Sequence, residues 1–514
     1  MKKLSLFLSL LLFLSITIAA KGAPISAKDL EADIRYFSDA TCTQLTSGFQ
    51  EKQLEEIKTP QLKALAQALL AKKYDAQYRV TDYAALLSDQ KLSEQLKLGR
   101  GFSQYENITG MYLEEGQAII MVGPTQGKKI TLLLPYWMRK PAEGIQPTKD
   151  PNGWGLHAQR VTLTEGINIV NVERSTNAYI GYFDDSPKTA PKIKIHFITG
   201  KVNRYFDGNT QTNEDWNKLL DNAVSPIMDA VGKNIQVAYP VEWFKKYTYG
   251  KGIELLNNYD KMLFYEYEMM GFHKYNKVPE RRILARVNFN YYMFRDGDGV
   301  AYLGDAGTMK RVADPDQVLN NAWGFCHEVG HVLQMRTWGG MGEVSNNILT
   351  MYATTKVGNP SRLKAGQYYA KARKAIIEAE PRISYLQNGD VFNSLVPFWQ
   401  LHLYFTKNGH PDFYPDLMEG WRKHPVSDGS SKNMLDFIKL VCDVGKTDLT
   451  DFFDKWGFFY VGTMPINDYG KYEYKVTQEM VDEVKAYIAK KNYPKPTMDV
   501  TTIEDDEAAA QEVW

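Results

Sequence analysis

Three hydrophobic periodicities follow one another along this chain. From about Ser26 to Leu98, apolar residues recur at three- and four-residue intervals, as in LEEIKTPQLKALAQALLAKKY (54–74). That spacing gathers them on one helical face, and Pro60 marks a helix start because a first-turn residue has no use for its missing N–H. A helical N-terminal region over 24–100 is therefore expected. Around Gly99 the pattern changes. AIIMV (118–122), KKITLLLP (128–135), INIVNVE (167–173) and KIKIHFITG (192–200) are short, β-branched or alternating runs set apart by Gly, Pro, Asn and Asp, and they predict a β-sandwich module over 101–200. After Asn203 helical spacing returns, for example NEDWNKLLDNAVSPIMDAVG (213–232), and it dominates to about Gly462. One further strand-like run, RRILARVNFNYYMF (281–294), interrupts it, and SLVPFWQLHLYF (394–405) is apolar enough for a buried helix. The fold class expected is α+β and multidomain. A mainly helical core with a small edge sheet fills 201–470, and 471–514 forms a C-terminal helix and acidic tail. That tail, EDDEAAAQEVW (504–514), is expected to be loosely ordered.

Composition narrows the function classes. Lys plus Arg number 61, as do Asp plus Glu, so no net field favours nucleic acid or an anionic membrane. Residues 1–23 read as a secretory signal peptide: Lys2 and Lys3 precede an apolar run from Leu4 to Ile18, and Ala19, Ala20 and Ala23 suit cleavage. The apolar run, at roughly 15 residues, is short of the roughly 20 a spanning helix needs. Export to a secreted, periplasmic or cell-surface location is expected, with no membrane span after signal removal. Cys42, Cys326 and Cys442 are too few and too scattered for a disulfide framework and are expected as buried thiols.

The chemistry concentrates in NNAWGFCHEVGHVLQMRTWGGMGEVSNNILTMYA (320–353). His327 and His331 are four apart, which on a helix stacks them on one face, where two imidazoles bind one metal ion. Glu328 follows the first histidine, where a carboxylate reaches metal-activated water without being a ligand. A catalytic zinc needs a third protein ligand. Glu343 supplies it, past a Gly339-Gly340 break and at the start of a second helical pattern. The three-histidine alternative requires a glycine and a histidine where Gln334 and Thr337 stand. In a chain with 8 histidines, a chance H-E-x-x-H is roughly a one-in-a-hundred event, so a metal site is a better reading than two ordinary helical histidines. Structural zinc is normally closed by four Cys or His ligands, which leaves a catalytic Zn²⁺, one ion per chain. Glu328 is then the general base. A donor for the tetrahedral oxyanion is also required. His402, His410, Tyr404 and Tyr460 lie downstream, each reads first as a packing residue, and the role stays open.

WGFCHEVGHVLQ, then Trp338, then GEVSNNI resembles the enhancin-like zinc metallopeptidases, which carry H-E-x-G-H-x-x-Q and a downstream Glu in an E-V-[ST]-x-N context. The match takes in His327, Glu328, Gly330, His331, Gln334, Glu343, Val344, Ser345 and Asn347. Weaker likeness in TGMYLEEGQAIIMV (109–122) and DLTDFFDKWGFF (448–459) extends it over residues 100–465. The resemblance implies a gluzincin-type metallopeptidase core and cleavage of O-glycosylated, mucin-like proteins. One departure stands out. YYMFRDGDGVAYLGD (291–305) lacks the family's Met-His-x-Gly-Tyr-Pro type run, in the neighbourhood that supplies a zincin's substrate-aligning strand. Glycan preference is therefore not carried over. Arg295, Asp296 and Asp298 are possible sugar contacts, although RDGDG reads first as a solvated turn.

The leading expectation is an exported zinc endopeptidase acting on a glycoprotein or mucin-like substrate. The alternatives are a glycan-binding or adhesion protein with a vestigial zinc core, and a general zinc endopeptidase with no glycan requirement. No G-A-M-E-N-type anchor for a substrate amino terminus is present, which disfavours an aminopeptidase.

Overall fold

A computed structural model describes residues 24–99, 101–335, 341–424 and 430–506; residues 1–23, expected as a signal peptide, the Gly339-Gly340 break with Thr337 and Trp338, and residues 507–514 lie outside these. The architecture is best read from strands that are buried on both faces. In Gly116–Val122, Ala118, Ile120 and Val122 point into the core between two sheets, while Ile119 and Met121 pack against the N-terminal helices. The run AIIMV is continuous rather than alternating for this reason: period-two geometry sends successive side chains to two different apolar layers.

The same rule repeats through the molecule. One sheet orders Val80–Tyr83, Ile193–Phe197, Gly116–Val122 and Gly166–Val172 as antiparallel neighbours. A second orders Lys201–Val202, Ile108–Leu113, Thr176–Gly181, Ile130–Pro135 and Ala158–Leu163. Leu132, Leu134, Ala178 and Ile180 fill the space between the two sheets. Leu133 and Tyr179 face the other way, onto a third sheet, where they meet Ile227, Val231 and Leu284. The third sheet runs Phe206–Asp207, Ile227–Val231, Ile235–Pro240, Ile283–Asn288, Gly299–Leu303, Met293–Asp296, with mixed parallel and antiparallel pairs. Its far face, with Met228, Ala230, Val237, Tyr239, Ala285 and Tyr302, packs on the helices of the C-terminal half. Polar ties seal the middle interface. Buried Asp229 accepts hydrogen bonds from Tyr179 Oη at 2.5 Å and Gln236 Nε2 at 3.1 Å, and Glu106 pairs with buried Arg281 at 2.5 Å.

Several sequence readings need correction. The stretch 24–100 is not wholly helical, because Val80–Tyr83 pairs with Ile193–Phe197 and Leu86–Leu87 with Phe183–Asp184. Helix Asn213–Asp221 ends well before Gly232; Pro226 precedes the strand Ile227–Val231. The edge sheet of the C-terminal half has six strands instead of a small number, its inner strands being buried on both faces, which leaves no period-two pattern of apolar and exposed polar residues. Residues 471–514 contribute a strand, Lys471–Val476, as well as helix Gln478–Lys490. The first residues of the acidic tail are docked. Asp505 is buried, accepting from Tyr369 Oη at 2.7 Å and Trp399 Nε1 at 2.9 Å, and Glu504 pairs with Lys364 at 3.0 Å and Arg373 at 2.7 Å. All three cysteines are buried free thiols. Among the described residues no helix is long and apolar enough to cross a membrane.

His196 ties the N-terminal layer to the first sheet: its Nδ1 lies 2.6 Å from the Thr41 carbonyl oxygen and its Nε2 2.5 Å from Tyr74 Oη. Burial holds this imidazole down at about 4. The unfolded chain therefore binds a proton near pH 6.5 that the folded protein refuses, so stability is full above that pH and falls as pH drops towards 4. Between pH 6.5 and 5 the loss is expected to be on the order of 1–2 kcal/mol. Urea midpoints should show it, with His196→Gln less stable at pH 7 but shallower in its pH dependence; equal slopes would refute the assignment.

Candidate metal centre

The two histidines stand on helix Ala322–Leu333, here the histidine helix. Phe325, Cys326, Val329, Val332 and Leu333 are buried along it, leaving His327 and His331 together on the remaining face. It stops at Gln334, whose backbone turns extended (φ −60°, ψ 132°) and whose carbonyl accepts the Gly99 N–H at 3.3 Å. Helix Gly342–Lys356, the glutamate helix, returns antiparallel, so that His327 meets Asn347 while Gln334 meets Gly342. Gly330 sits where the two cross. A Cβ there would lie 2.8 Å from the Asn346 carbonyl oxygen, a backbone atom that cannot swing aside. The glycine inside HEVGH is thus a packing requirement of the helix pair.

That approach brings Glu343 to both imidazoles. His327 Nε2 is 3.2 Å from Glu343 Oε2, and His331 Nε2 is 3.6 Å from Glu343 Oε1. Ligands about 2.1 Å from a tetrahedral zinc ion lie about 3.4 Å from one another, so the donor spacing fits such an ion. The far ring nitrogens are held as well. His327 Nδ1 is 2.9 Å from Asn347 Oδ1, and His331 Nδ1 is 3.3 Å from Gln334 Oε1. Each amide's NH₂ group is engaged elsewhere, Asn347 on the Glu343 carbonyl at 2.6 Å and Gln334 on the Gly342 carbonyl at 2.5 Å. Their oxygens are left to accept a proton from each Nδ1, the arrangement that would free each Nε2 for a metal ion. Asn346 Nδ2 lies between the two rings, 3.1 Å from both His331 Nε2 and His327 Nδ1.

Two carboxylates flank the histidines, in opposite electrostatic states. Glu328 falls within 4.8 Å of both imidazole donors, and Glu343 contacts both Nε2 atoms at 3.2 and 3.6 Å. Burial raises Glu328 above the usual carboxyl range, against the pull of His327 and His331, and it accepts the backbone N–H of Arg295 from the sheet's edge strand. For Glu343, burial pushes upward but is outweighed by hydrogen bonds from His327, His331 and Tyr469, and the net shift is downward. His327 is pulled down by burial and raised further by Glu343 and Asn347, ending above its ordinary value.

Tyr469 was not among the residues singled out from the sequence. Its hydroxyl donates to Glu343 Oε1 from the tip of a hairpin, Gly462–Asn467 with Lys471–Val476. The turn NDYG between two alternating runs was the available signal. The four downstream residues weighed as oxyanion donors have other partners. His402 packs on Trp399 at 4.6 Å and Tyr352 at 5.5 Å, burial drawing it down to about 4. His410 pairs with Asp416 at 3.0 Å, Tyr404 meets Phe405 edge-on, and Tyr460 lies half-buried on the helical core. Of the possible sugar contacts, Asp296 pairs with buried Arg286, and the Arg295 guanidinium lies in the space left by Gly99 and Gly101. RDGDG is the turn joining the edge strand to Gly299–Leu303.

The sequence profile of the peptidase M60 family, enhancin and enhancin-like, matches residues 202–457. The chain belongs to that family. M60 membership makes it a metallopeptidase that takes a metal cofactor. Solved structures agree in fold. A metallopeptidase from Bacteroides thetaiotaomicron superposes with a TM-score of 0.78 at 23% identity, covering 95% of this chain and 83% of that one. A metallopeptidase in complex with Tn antigen gives 0.71 at 23% identity, covering 85% and 81%. The M60 catalytic domain of Clostridium perfringens ZmpC, in complex with sialyl T antigen, gives 0.61 at 16% identity, covering 82% and 81%. Among curated proteins none matches this sequence.

Adding a methyl group at the helix crossing of this M60 chain should be felt at once. Gly330→Ala is expected to lower stability by about 1–3 kcal/mol, the cost of overpacking against backbone, read as a drop in the urea midpoint; an unchanged midpoint would show that the helices separate freely there.

Proposed function

We propose that this protein is an exported, zinc-dependent endopeptidase of gluzincin type that cleaves glycoproteins, with O-glycosylated mucin-like chains as the substrate class. The observation that carries it is the convergence of His327 Nε2, His331 Nε2 and Glu343 at the spacing of a tetrahedral zinc shell, with Glu328 beside them. In this reading the three converging residues hold one zinc ion per chain. When bound, the ion supplies Lewis acidity, lowering the pKa of water and polarising the scissile carbonyl. Glu328 takes the proton from the attacking water and delivers it to the departing amine. A carboxyl raised by burial suits both halves of that shuttle, because the gap between its pKa and neutrality is reduced.

Substrate alignment falls to the strand Met293–Asp296. It is the last in its sheet, and the Arg295 N–H reaches Glu328 from its outer edge. An extended peptide adding to that edge lies across the base and the proposed ligands. The glycan part of the proposal draws on the structural relatives solved with Tn and sialyl T antigens. Export draws on the signal-like segment 1–23.

The test is digestion of an O-glycosylated mucin and its deglycosylated counterpart by wild type, Glu328→Ala and a zinc-chelated sample. Cleavage of the glycosylated form alone is expected, with turnover reduced about 10²–10⁴-fold in Glu328→Ala while zinc is retained, and with loss on chelation. Equal cleavage of both forms would leave a general zinc endopeptidase. Zinc binding with no cleavage of either would favour the glycan-binding alternative.

A further inference from the structure

The family profile ends at residue 457, and the hairpin Gly462–Val476 lies beyond it. Its six register pairs run from Gly462 with Val476 to Asn467 with Lys471, and its base is fixed by Met464, Tyr474 and Val476, all buried in the helical core. The tip is therefore carried by a rigid stem. Two consecutive tip residues then reach the start of the glutamate helix. The Asp468 carboxylate accepts the N–H of Gly342, the first helical residue, at an end where Met341 provides no side-chain cap. The Tyr469 hydroxyl donates to Glu343 Oε1, the same oxygen that faces His331 Nε2, and its ring meets the His331 ring edge-on at 5.9 Å.

Tyr469 stands in the left-handed region at φ 51° and is 83% exposed. An L-residue with a bulky side chain is unfavourable in that conformation, and an exposed ring gains little from burial, so local backbone preference does not account for a tyrosine here. Among the described residues its side-chain hydrogen bond is with Glu343. That glutamate needs the help. Its side chain is 32% exposed, and a flexible carboxylate at a helix N-terminus loses rotamer freedom when fixed as a ligand. The NDYG tip supplies the fixing from outside the helix pair.

We propose that the hairpin Gly462–Val476 is a clamp on the metal site, in which Asp468 caps the helix that carries Glu343 and Tyr469 holds the Glu343 carboxylate in its ligand pose. Tyr469 is on this view a positioning residue, and the proposal rests on the zinc reading above. Outer-shell partners of ligands typically govern metal affinity by 10–100-fold. The experiment is competition of the full-length protein with a chromogenic chelator for zinc, alongside the thermal midpoint of the metal-free protein. Tyr469→Phe is expected to bind zinc about 10-fold more weakly with an unchanged metal-free midpoint, which separates positioning from a merely structural role. Asp468→Ala should weaken zinc similarly, and Asp468→Asn, whose amide oxygen still accepts the Gly342 N–H, should restore it. Wild-type affinity in Tyr469→Phe would overturn the clamp and leave the zinc site standing. Failure of the wild-type protein to bind zinc at one ion per chain would overturn both.

Discussion

The constraint on which the site depends is the crossing of the histidine and glutamate helices at Gly330. Everything proposed for the site depends on how near the Asn346 backbone comes to that residue. Two helices separated by an ordinary side chain would hold Glu343 farther from the imidazoles, and Asn347 and Gln334 would no longer reach the Nδ1 atoms. Because the helices run antiparallel, one close contact sets four others in register: Asn347 on His327, Asn346 on His331, Glu343 between the two rings, and Gln334 on the N-terminus of the glutamate helix. The crossing is in turn held from below by the six-stranded sheet and its packed helices, so the layering of the whole C-terminal half serves the position of a few donor atoms.

Local spacing made much of this legible. The i, i+4 histidines, the adjacent glutamate and the glutamate after a glycine break are short-range facts, and a helix followed by a returning helix needs only the intervening turn. Gly330, Gln334 and Asn347 were visible as motif letters, but their roles were not. A glycine's role lies in the atom it allows to approach, and an amide's role lies in which of its two ends faces the imidazole. Both become definite only once the partner helix is in place. The start of the helix at Pro60 and the buried helix Val391–Lys407 were readable for the same reason as the histidines, since capping and 3.6-residue periodicity are properties of contiguous segments.

What escaped the sequence is uniformly non-local. Strand Ile227–Val231 is buried on both faces, so its apolar run carries no alternation to distinguish it from the end of a helix. Glu504 and Asp505 look like part of a solvated acidic tail until Lys364, Arg373, Tyr369 and Trp399 are brought around them. Tyr469 is 126 residues from Glu343. Charge and turn composition describe how a segment meets water, and each of these segments instead meets another part of the chain.

The site also shows how two glutamates in one small volume come to differ. Glu328 is enclosed by the histidine helix and the edge strand, and burial dominates, so its proton is held more tightly than in water. Glu343 contacts the same imidazoles and is ringed by donors: hydrogen bonds from two histidines and a phenol outweigh its burial and favour the anion. A carboxylate that ligates a metal must stay an anion, and a raised pKa suits a carboxyl that shuttles protons. Exchanging the two roles would ask the more buried group to stay charged and the better-solvated, donor-ringed group to take up protons, against the field at both positions. The proposed roles, Glu343 as ligand and Glu328 as base, are thus in keeping with environment as well as distance, and the hairpin that presents Tyr469 is one of the elements that drives the two apart.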